Sequence, residues 1–157
     1  QKWTIDGDIA FLFIGKTKVL VDAADVAIVG KYRWHIDGND YVGSKQCEPM
    51  HRLILGLKKG DPLEVDHKYH VNSDNRRSQI RLATSSQNKM NRRAKKRGTS
   101  RFKGVHWDNE RKKWLAQIKS TYIGRFDSEE SAAAAYDAVA SRRFGEFAYL
   151  NFGAQHA

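Results

Sequence analysis

Residues 64–91 read EVDHKYHVNSDNRRSQIRLATSSQNKMN, and the rest of the chain is arranged around this stretch. It places an acidic residue, Asp66, directly before a histidine, His67, and adds several amides and three arginines. Apolar residues are too few here to fill a hydrophobic core. The stretch is therefore predicted to form a site with a chemistry of its own.

The order of apolar and turn residues in this stretch predicts a strand, a loop, a second strand and a helix. The expected positions are 63–65 for the first strand, 72–75 for the loop and 79–83 for the second strand, with a helix capped by Thr84 or Ser85. In such a hairpin the end of the first strand faces the start of the helix. We therefore expect Asp66 and Asn88 to share one cation. The competing interpretation is a polar turn whose Asn and Asp residues only cap the chain.

The residue types suit the hydrolysis of a phosphodiester. A hard divalent cation such as Mg²⁺ takes oxygen ligands and keeps positions for waters and phosphate oxygens. Asp66 and Asn88 together offer one carboxylate and one amide oxygen. His67 is of the type that titrates near neutrality and can take a proton from an attacking water. We interpret His51, which begins an apolar helix, as a structural residue or a phosphate contact, and His70 as a loop or phosphate-side residue.

The hairpin and its lead-in resemble the HNH nuclease motif of phage and intron-encoded homing endonucleases. The resemblance rests on residues 50–54, 65–67, 74–84 and 86–91. It implies an α+β fold with a ββα-metal nuclease domain. By position, it makes His67 the general base and assigns a metal ion to Asp66 and Asn88. In that family an asparagine at the middle position braces the hairpin and orients the base, and this chain has Gln79 there.

Glutamine at the middle position keeps the amide group but is one methylene longer than asparagine. Displacement of a catalytic group by ~1 Å can lower a rate by ~100-fold. We therefore expect Gln79 to reduce the activity and to leave the fold intact.

The formal charge of +10 is confined to one part of the chain. Residues 1–65 hold nine basic and nine acidic residues, and residues 104–157 hold seven of each. Residues 66–103 hold 12 basic and two acidic residues, so they carry the whole excess. Such a block attracts a polyanion through long-range fields and counterion release. A solvated basic linker is the alternative.

Eleven of the 12 basic residues of this block fall into two groups. Arg76, Arg77 and Arg81 lie within the hairpin, where we expect them to hold flanking phosphates. The others form a basic bridge: Lys89, Arg92, Arg93, Lys95, Lys96, Arg97, Arg101 and Lys103. Eight phosphate contacts would give a salt slope near ~−7. Contacts of this kind position a protein on nucleic acid and do not read its sequence.

Residues 100–152 predict a second module of three short strands and a helix. The strands are expected at 102–107, 113–119 and 122–126, and the helix between a capping Asp127 and a closing Gly145. The module resembles the AP2/ERF DNA-binding domain on residues 101–105, 113–118, 123–126, an alanine run to Ala140, and 145–152. In that family exposed strand residues enter the major groove. By position these are Lys103, His106, Gln117, Lys119, Tyr122 and Arg125. A small module that contacts protein is the alternative.

Residues 1–63 predict a small α+β lead-in to the nuclease domain. Strands are expected at 9–14 and 19–21, a helix from a capping Asp22 to about residue 31, a hairpin within 34–43, and a helix over 50–57. The predicted division of the chain is 1–63, 64–91, a basic linker at 92–100, 101–152 and a tail at 153–157.

These patterns together predict a metal-dependent DNA endonuclease of the HNH homing type, which nicks one strand at a site recognised partly by the AP2-like module. The expected cofactor is one Mg²⁺ or Mn²⁺ ion, and the expected partner is double-stranded DNA. We expect a monomer, and a dimer on DNA stays open. The alternatives are a DNA-binding regulator with an inactive HNH scaffold and an RNA-binding basic protein.

The remaining composition sets limits on other classes of protein. No apolar run approaches the ~18 residues of a membrane span, and no charged-then-apolar leader is present. The single cysteine, Cys47, offers no internal disulfide, and no Cys-x-x-Cys pair exists to hold zinc. We expect an intracellular, cytoplasmic protein of a bacterial or phage-infected host. No zinc, membrane partner or small-molecule cofactor is expected.

Overall fold

The computed structural model describes residues 1–93 and 98–153. The chain divides into two units, Gln1–Asn88 and Lys89–Ala157, and each has buried hydrophobic residues of its own. Small antiparallel sheets and helices make up both units, which confirms the predicted α+β class. Within 1–93 and 98–153 no helix has the length and apolar content to cross a membrane.

The first unit opens with a three-stranded antiparallel sheet. Its strands, in spatial order, are β1 (Thr4–Asp6), β2 (Ile9–Ile14) and β3 (Thr17–Asp22). Alternate residues of β2 and β3, such as Leu12 and Val21, are buried, because successive side chains of a strand point to opposite faces. β2 has the bounds predicted from its apolar run. β1 carries no such signal, since all three of its residues are exposed.

Short elements connect this sheet to the central hairpin. They are a 3₁₀ turn at Ala23–Asp25, α1 (Val26–Val29), β4 (His35–Ile36), β5 (Val42–Gly43) and α2 (Met50–Ile54). Asp22 stands at the predicted N-cap position, before the 3₁₀ turn, but its side chain makes no capping bond, because its Oδ2 instead accepts the backbone N–H of Arg77 at 2.8 Å. α2 is shorter than predicted, because Gly56 takes a left-handed φ of +74° soon after its end.

The central stretch forms two paired strands and a helix. β6 (Glu64–His67) and β7 (Ile80–Ala83) are antiparallel, and α3 (Ser85–Met90) follows. Thr84 caps α3: its Oγ1 accepts the N–H of Gln87 at 3.2 Å, and Gln87 Oε1 accepts the N–H of Thr84 at 2.8 Å. The reciprocal bonds satisfy two donors that a helix start would leave unpaired.

The hairpin is part of the same core as the residues that precede it. Val65 of β6 and Ile80 of β7 are buried in one cluster with Ala10, Leu12, Val19, Val21, Val29, Trp34, Val42, Met50 and Ile54. Trp34 Nε1 within this cluster donates to the carbonyl of Val29 at 2.9 Å, so its polar atom is satisfied. Residues 1–63 therefore pack as the support of the hairpin.

The second unit pairs a sheet with a long helix. β8 (Val105–Asp108), β9 (Lys113–Ile118) and β10 (Thr121–Phe126) form an antiparallel sheet with β9 in the centre. α4 (Glu129–Phe144) packs on one face of this sheet. Ala116, Ala132 and Ala133 are fully buried at the contact, where small side chains allow a close approach.

Local sequence defines both ends of α4. The N-cap is Ser128, whose Oγ accepts the N–H of Ser131 at 3.1 Å, so the prediction of Asp127 as the cap is wrong by one residue. Asp127 instead forms an ion pair with Lys113 of β9. Gly145 ends the helix with a φ of +53°, as predicted, because glycine adopts that conformation at low cost.

Candidate active site

His67 is the last residue of β6, at the position predicted for a general base. Its side chain is buried, and its Nε2 lies 3.3 Å from Oδ1 of Asn75. An amide oxygen can only accept a hydrogen bond. The contact therefore puts the ring proton on Nε2 and leaves the lone pair on Nδ1.

The surroundings of His67 keep its ring neutral. Burial lowers the pKa of His67, while the hydrogen bond to Asn75 Oδ1 and the carboxylates of Asp66 and Asp74 act in the opposite direction. A neutral imidazole is the form that can accept a proton.

Asn75 is held in place by the opening sheet. Its side chain is completely buried, and its backbone N–H donates to the carbonyl of Leu20 on β3 at 2.8 Å. The N–H of Leu20 in turn donates to the carbonyl of Ser73 at 2.9 Å. These bonds fix the loop against a sheet, which orients a side chain better than a free loop can. The sequence indicated only a loop here, because β3 lies far away along the chain.

Gln79, the residue predicted to orient the base, makes its side-chain contact elsewhere. Its Nε2 donates to Ser78 Oγ at 3.3 Å. Its backbone carbonyl accepts the N–H of Lys68, the residue directly after His67, at 2.9 Å. Gln79 therefore closes the hairpin through its backbone, and the contact with the His67 ring comes from Asn75. The effect of Gln79 on the rate stays a prediction.

Three rings pack together at this end of β6: Tyr41, His51 and His67. The ring centroids of His51 and His67 are 5.2 Å apart, and Tyr41 lies 5.2 Å from His51 and 5.7 Å from His67. Burial, together with the neighbouring His67 and Arg52, lowers the pKa of His51 to about 3. His51 is therefore a neutral ring beside His67. The sequence had indicated a structural residue or a phosphate contact.

Asp66, the predicted metal ligand, faces Arg81 across the strand pair. Arg81 Nε and Nη2 lie 2.9 Å and 2.7 Å from Asp66 Oδ2. Both side chains are largely buried, which strengthens the pair. A carboxylate has about four lone-pair positions, so the ion pair does not exhaust what Asp66 can bind.

Asn88, the second predicted ligand, reaches from α3 to the strand that carries Asp66. Its Nδ2 donates to Glu64 Oε2 at 2.6 Å. Glu64 and Asp66 are two positions apart on β6, so their side chains share a face of the strand. Glu64 is thereby a residue of the candidate site that the sequence did not predict. The spacing of two acids in a strand was the available signal.

The oxygen donors of this region suit a hard divalent cation. Asp66 supplies a carboxylate and Asn88 an amide oxygen, which are ligand types of Mg²⁺ and Mn²⁺. In the described part of the chain, no group of three or more His, Cys, Asp or Glu residues is placed to hold a metal ion. Mg²⁺ commonly binds through one or two carboxylates with waters and substrate phosphates, so the donor set fits it.

The three arginines of the hairpin are engaged within the chain. Arg76 binds Asp74 through Nε at 2.8 Å and Nη2 at 2.5 Å. Arg77 binds Asp25 through Nε at 3.0 Å and Nη2 at 2.8 Å, and donates to the carbonyl of Ile54 at 3.0 Å. Arg81 pairs with Asp66. These contacts stabilise the hairpin, and the predicted phosphate contacts of the three residues stay predictions.

In the second unit, four of the predicted DNA contacts share the sheet face opposite α4: His106, Gln117, Tyr122 and Arg125. His106 of β8 and Arg125 of β10 both pair with Leu115 of β9. Tyr122 pairs with Gln117, two positions further along β9. Cross-strand partners project from the same face, whereas the alternate residue Ala116 is buried against α4.

Two of these side chains are already ordered on the surface. Arg125 Nε donates to Asp108 Oδ2 at 2.8 Å, and its guanidinium lies 5.3 Å from the centre of the Tyr122 ring. The Asp108 bond raises the pKa of Arg125. Tyr122 is 57% exposed, so most of its ring is accessible on this face although Arg125 packs against it.

The remaining predicted cations differ in their surroundings. Lys103 donates to the carbonyls of Met90 and Arg92, and burial lowers its pKa to about 8, so its amine supports its own unit. Arg92, Arg93 and Lys119 are exposed and line one cavity of about 420 Å³ with Gln117. Three further predicted contacts, Lys95, Lys96 and Arg97, lie outside the described residues.

A comparison with curated proteins decides the family. The chain is 33% identical over 159 residues to a protein of Acanthamoeba polyphaga mimivirus named an uncharacterised HNH endonuclease, and the alignment covers 94% of this chain and 83% of that protein. The chain belongs to the HNH endonuclease family. The family assigned from the hairpin motif is thereby confirmed.

Part of this HNH endonuclease family member is also similar to a plant protein. It is 37% identical over 62 residues to the AP2-like ethylene-responsive transcription factor ANT of Arabidopsis thaliana. The alignment covers 38% of this chain and 11% of that factor. A match of this size suggests an AP2-like module without assigning one. No family model matches the chain, and no solved structure is significantly similar to it.

Proposed function

We propose that the chain is a metal-dependent DNA endonuclease of the HNH homing type. The observation that carries the proposal is the end of β6, where a buried His67 is held by Asn75 and directly follows Asp66. Membership of the HNH endonuclease family supports the same reaction. The arrangement suits hydrolysis of a phosphodiester, because it offers a neutral base beside oxygen ligands for a cation.

His67 acts as the base through Nδ1, because its Nε2–H is donated to Asn75, and binding of the substrate must open a path for water to Nδ1, which is buried in the free protein. It takes a proton from water while the water oxygen bonds to phosphorus. The bond from phosphorus to the 3′ oxygen breaks, and this oxygen takes a proton from solvent. The products are a 5′-phosphate and a 3′-hydroxyl. Fixing the ring with a buried amide keeps Nδ1 in one orientation throughout.

Asp66 and Asn88 would hold one Mg²⁺ or Mn²⁺ ion. When bound, such an ion stabilises negative charge on the phosphate and on the leaving oxygen. Arg81 fixes the Asp66 carboxylate from the neighbouring strand, so the carboxylate does not have to reorient on binding. The elements β6, β7 and α3 form the ββα-metal arrangement of the proposed site.

The partner is double-stranded DNA. The sheet face with the exposed Gln117 and Tyr122 and the half-buried His106 and Arg125 offers polar side chains for base edges in a major groove, as an AP2-like module does. Exposed cations beside it, such as Arg92 and Arg93, suit phosphates. Because one chain carries one such catalytic site, a monomer nicks one strand.

Metal-dependent nicking of a supercoiled plasmid tests the proposal. In Mg²⁺ or Mn²⁺ the wild type should nick, and His67→Ala and Asn88→Ala should each lower the rate by ~100-fold or more. His35→Ala removes an exposed histidine of β4 and serves as the matched control with an unchanged rate. Nicking that His67→Ala leaves at the wild-type rate would remove the assignment of the base.

A second candidate is a DNA-binding regulator whose nuclease scaffold is inactive. The ion pair of Asp66 with Arg81 favours it, because the guanidinium competes with a cation for the carboxylate. Substitution Gln79→Asn separates the two functions. A large gain in nicking would show that the site is active and that Gln79 orients the base less well than an asparagine does. No nicking by either form, together with salt-sensitive DNA binding, would favour the regulator.

A further inference from the structure

One short hydrogen bond joins the two elements that carry the proposed metal ligands. Asn88 of α3 donates from Nδ2 to Oε2 of Glu64 on β6 at 2.6 Å. The bond lies outside the β6–β7 ladder, which pairs Glu64 with Ala83. A bond of this length between an amide and a carboxylate is a strong, charge-assisted one. It therefore determines which way the Asn88 side chain is turned.

The backbone on both sides of this bond is fixed. Glu64 is held by its pairing with Ala83, and α3 begins soon after that residue. The N–H of Asn88 donates to the carbonyl of the capping residue Thr84 at 2.9 Å. With both backbones fixed, the remaining freedom of Asn88 is the rotation of its side chain. Glu64 removes that freedom.

The chemistry of the two groups decides which atom of Asn88 is presented. A carboxylate can only accept hydrogen bonds, so Glu64 selects the NH₂ end of the amide. The amide oxygen, Oδ1, is then the atom left for a cation. Glu64 and Asn88 also line one cavity of about 300 Å³ with His51 and Tyr41, so small ligands can approach them.

We propose that Glu64 is a positioning residue of the metal site. It turns the Asn88 amide so that Oδ1 serves, with Asp66, as an oxygen ligand of a divalent cation. Without Glu64 the amide rotates among several orientations and presents its NH₂ group for part of the time. The inference rests on the proposed function, because it concerns the cation of the same site.

Two substitutions separate the hydrogen bond of Glu64 from its charge. Glu64→Gln keeps an acceptor oxygen at the same distance from the backbone and removes the charge. Glu64→Ala removes both. If Glu64 positions Asn88, the glutamine variant keeps most of the cation affinity and the alanine variant loses it. If Glu64 ligates the cation itself, both variants lose affinity equally, and the positioning role is overturned.

Calorimetric titration of the full chain with Mn²⁺ alone is the experiment. We expect Glu64→Ala to weaken binding by ~10-fold or more, as loss of an orienting group does at metal sites. We expect Glu64→Gln to stay within ~3-fold of the wild type, which is below the cost of losing the orienting bond. Glu110→Ala, at a carboxylate whose side chain is 87% exposed, is the control and should bind as the wild type does.

A double-mutant cycle makes the coupling specific. Once Asn88→Ala has removed the amide, adding Glu64→Ala should weaken Mn²⁺ binding no further. If the losses of Mn²⁺ affinity caused by Glu64→Ala and Asn88→Ala multiply in the double variant, the proposal is overturned. In the metal-free protein, the side-chain NH₂ resonances of Asn88 should shift in Glu64→Ala and stay near their wild-type positions in Glu64→Gln. Unchanged resonances in Glu64→Ala would also overturn it.

The outcomes distinguish this inference from the proposed function. Weak Mn²⁺ binding by Asp66→Ala and Asn88→Ala, with wild-type binding by Glu64→Ala, overturns the role of Glu64 and leaves the proposed metal site standing. Mn²⁺ binding that no variant affects, or no binding by the wild type, overturns the metal site and the role of Glu64 together.

Discussion

The candidate functional residues of the two units differ in how they are held. In the first unit His67, Asn75 and Asp66 are buried, and each has a partner inside the chain. In the second unit Gln117 and Tyr122 are exposed on an open sheet face. The first arrangement fixes chemical groups before a substrate arrives, whereas the second leaves side chains free to meet one.

This difference has a physical reason. A catalytic base must keep one orientation, because small displacements are costly in rate. Residues that contact base edges must instead protrude from the surface to reach into a groove. Substitutions in the first unit should therefore change stability and chemistry together, and substitutions on the sheet face should change binding alone. Four predictions test this contrast, from the largest expected effect to the smallest.

The substitution Asn75→Ala should have the largest effect. It removes the amide that holds the His67 ring, so we expect the nicking rate to fall by ~100-fold. Plasmid nicking at saturating DNA measures it, since the binding surface is unchanged. Asn72→Ala in the same loop is the matched control, because the Asn72 side chain bonds to the carbonyl of Asn39 instead. Equal rates for the two variants would contradict the orienting role of Asn75.

The substitution Arg77→Ala should destabilise the first unit. It leaves the carboxylate of Asp25, whose side chain is only 4% exposed, without its ion-pair partner. We expect a loss of about 2 kcal/mol in the free energy of unfolding, less than for a fully buried pair because Arg77 is half exposed. Urea denaturation measures it. Arg93→Ala, at an exposed arginine, should change stability by less than about 0.5 kcal/mol.

Acidification should destabilise the first unit through His51. The folded ring has a pKa of about 3, against an ordinary value of 6.5, so below pH 6.5 the unfolded chain takes up a proton that the folded chain does not. The stabilising contribution of this residue is present above pH 6.5 and is lost as the pH falls from 6.5 towards 3. Within this range the free energy of unfolding should fall by up to about 1.4 kcal/mol per pH unit because of His51.

Urea denaturation at pH 7 and at pH 5.5 measures this effect. His51→Phe keeps a ring beside Tyr41 and His67 and removes the titration, so its stability should fall less over the same interval. The lowered pKa of His67 contributes in the same direction in both proteins. An equal fall in the two proteins would show that His51 is protonated in the folded chain.

Substitutions on the sheet face should have the smallest effect on stability. Gln117→Ala and Tyr122→Ala remove exposed side chains, so we expect changes below about 0.5 kcal/mol in unfolding free energy. Both should weaken binding to the recognised DNA, by about 1–3 kcal/mol where a base contact is lost. Thermal denaturation and a DNA-binding titration measure the two quantities. A large loss of stability would show that this face belongs to the core.

Many local features could be predicted from the sequence because their causes are local. The apolar run of β2 and the glycine that ends α4 have the predicted positions. The helix cap at Ser128 was misplaced by one residue, since Asp127 is an equally good capping type by sequence. β1 was not predicted, because it forms by pairing with β2. The Asp22 side chain does not cap a helix, because it accepts the N–H of Arg77, which is distant along the chain.

By itself, the sequence determined which chemical groups this protein has and roughly which local elements carry them. The adjacent Asp66 and His67, the amide of Asn88 and the alternation of β9 follow from residue order and period. The tertiary structure decided which of these groups meet. It brought Asn75 to His67 through β3, and it brought Asn88 of α3 within hydrogen-bond distance of Glu64 on β6. Contacts between distant segments depend on the shared core, and no local pattern records them.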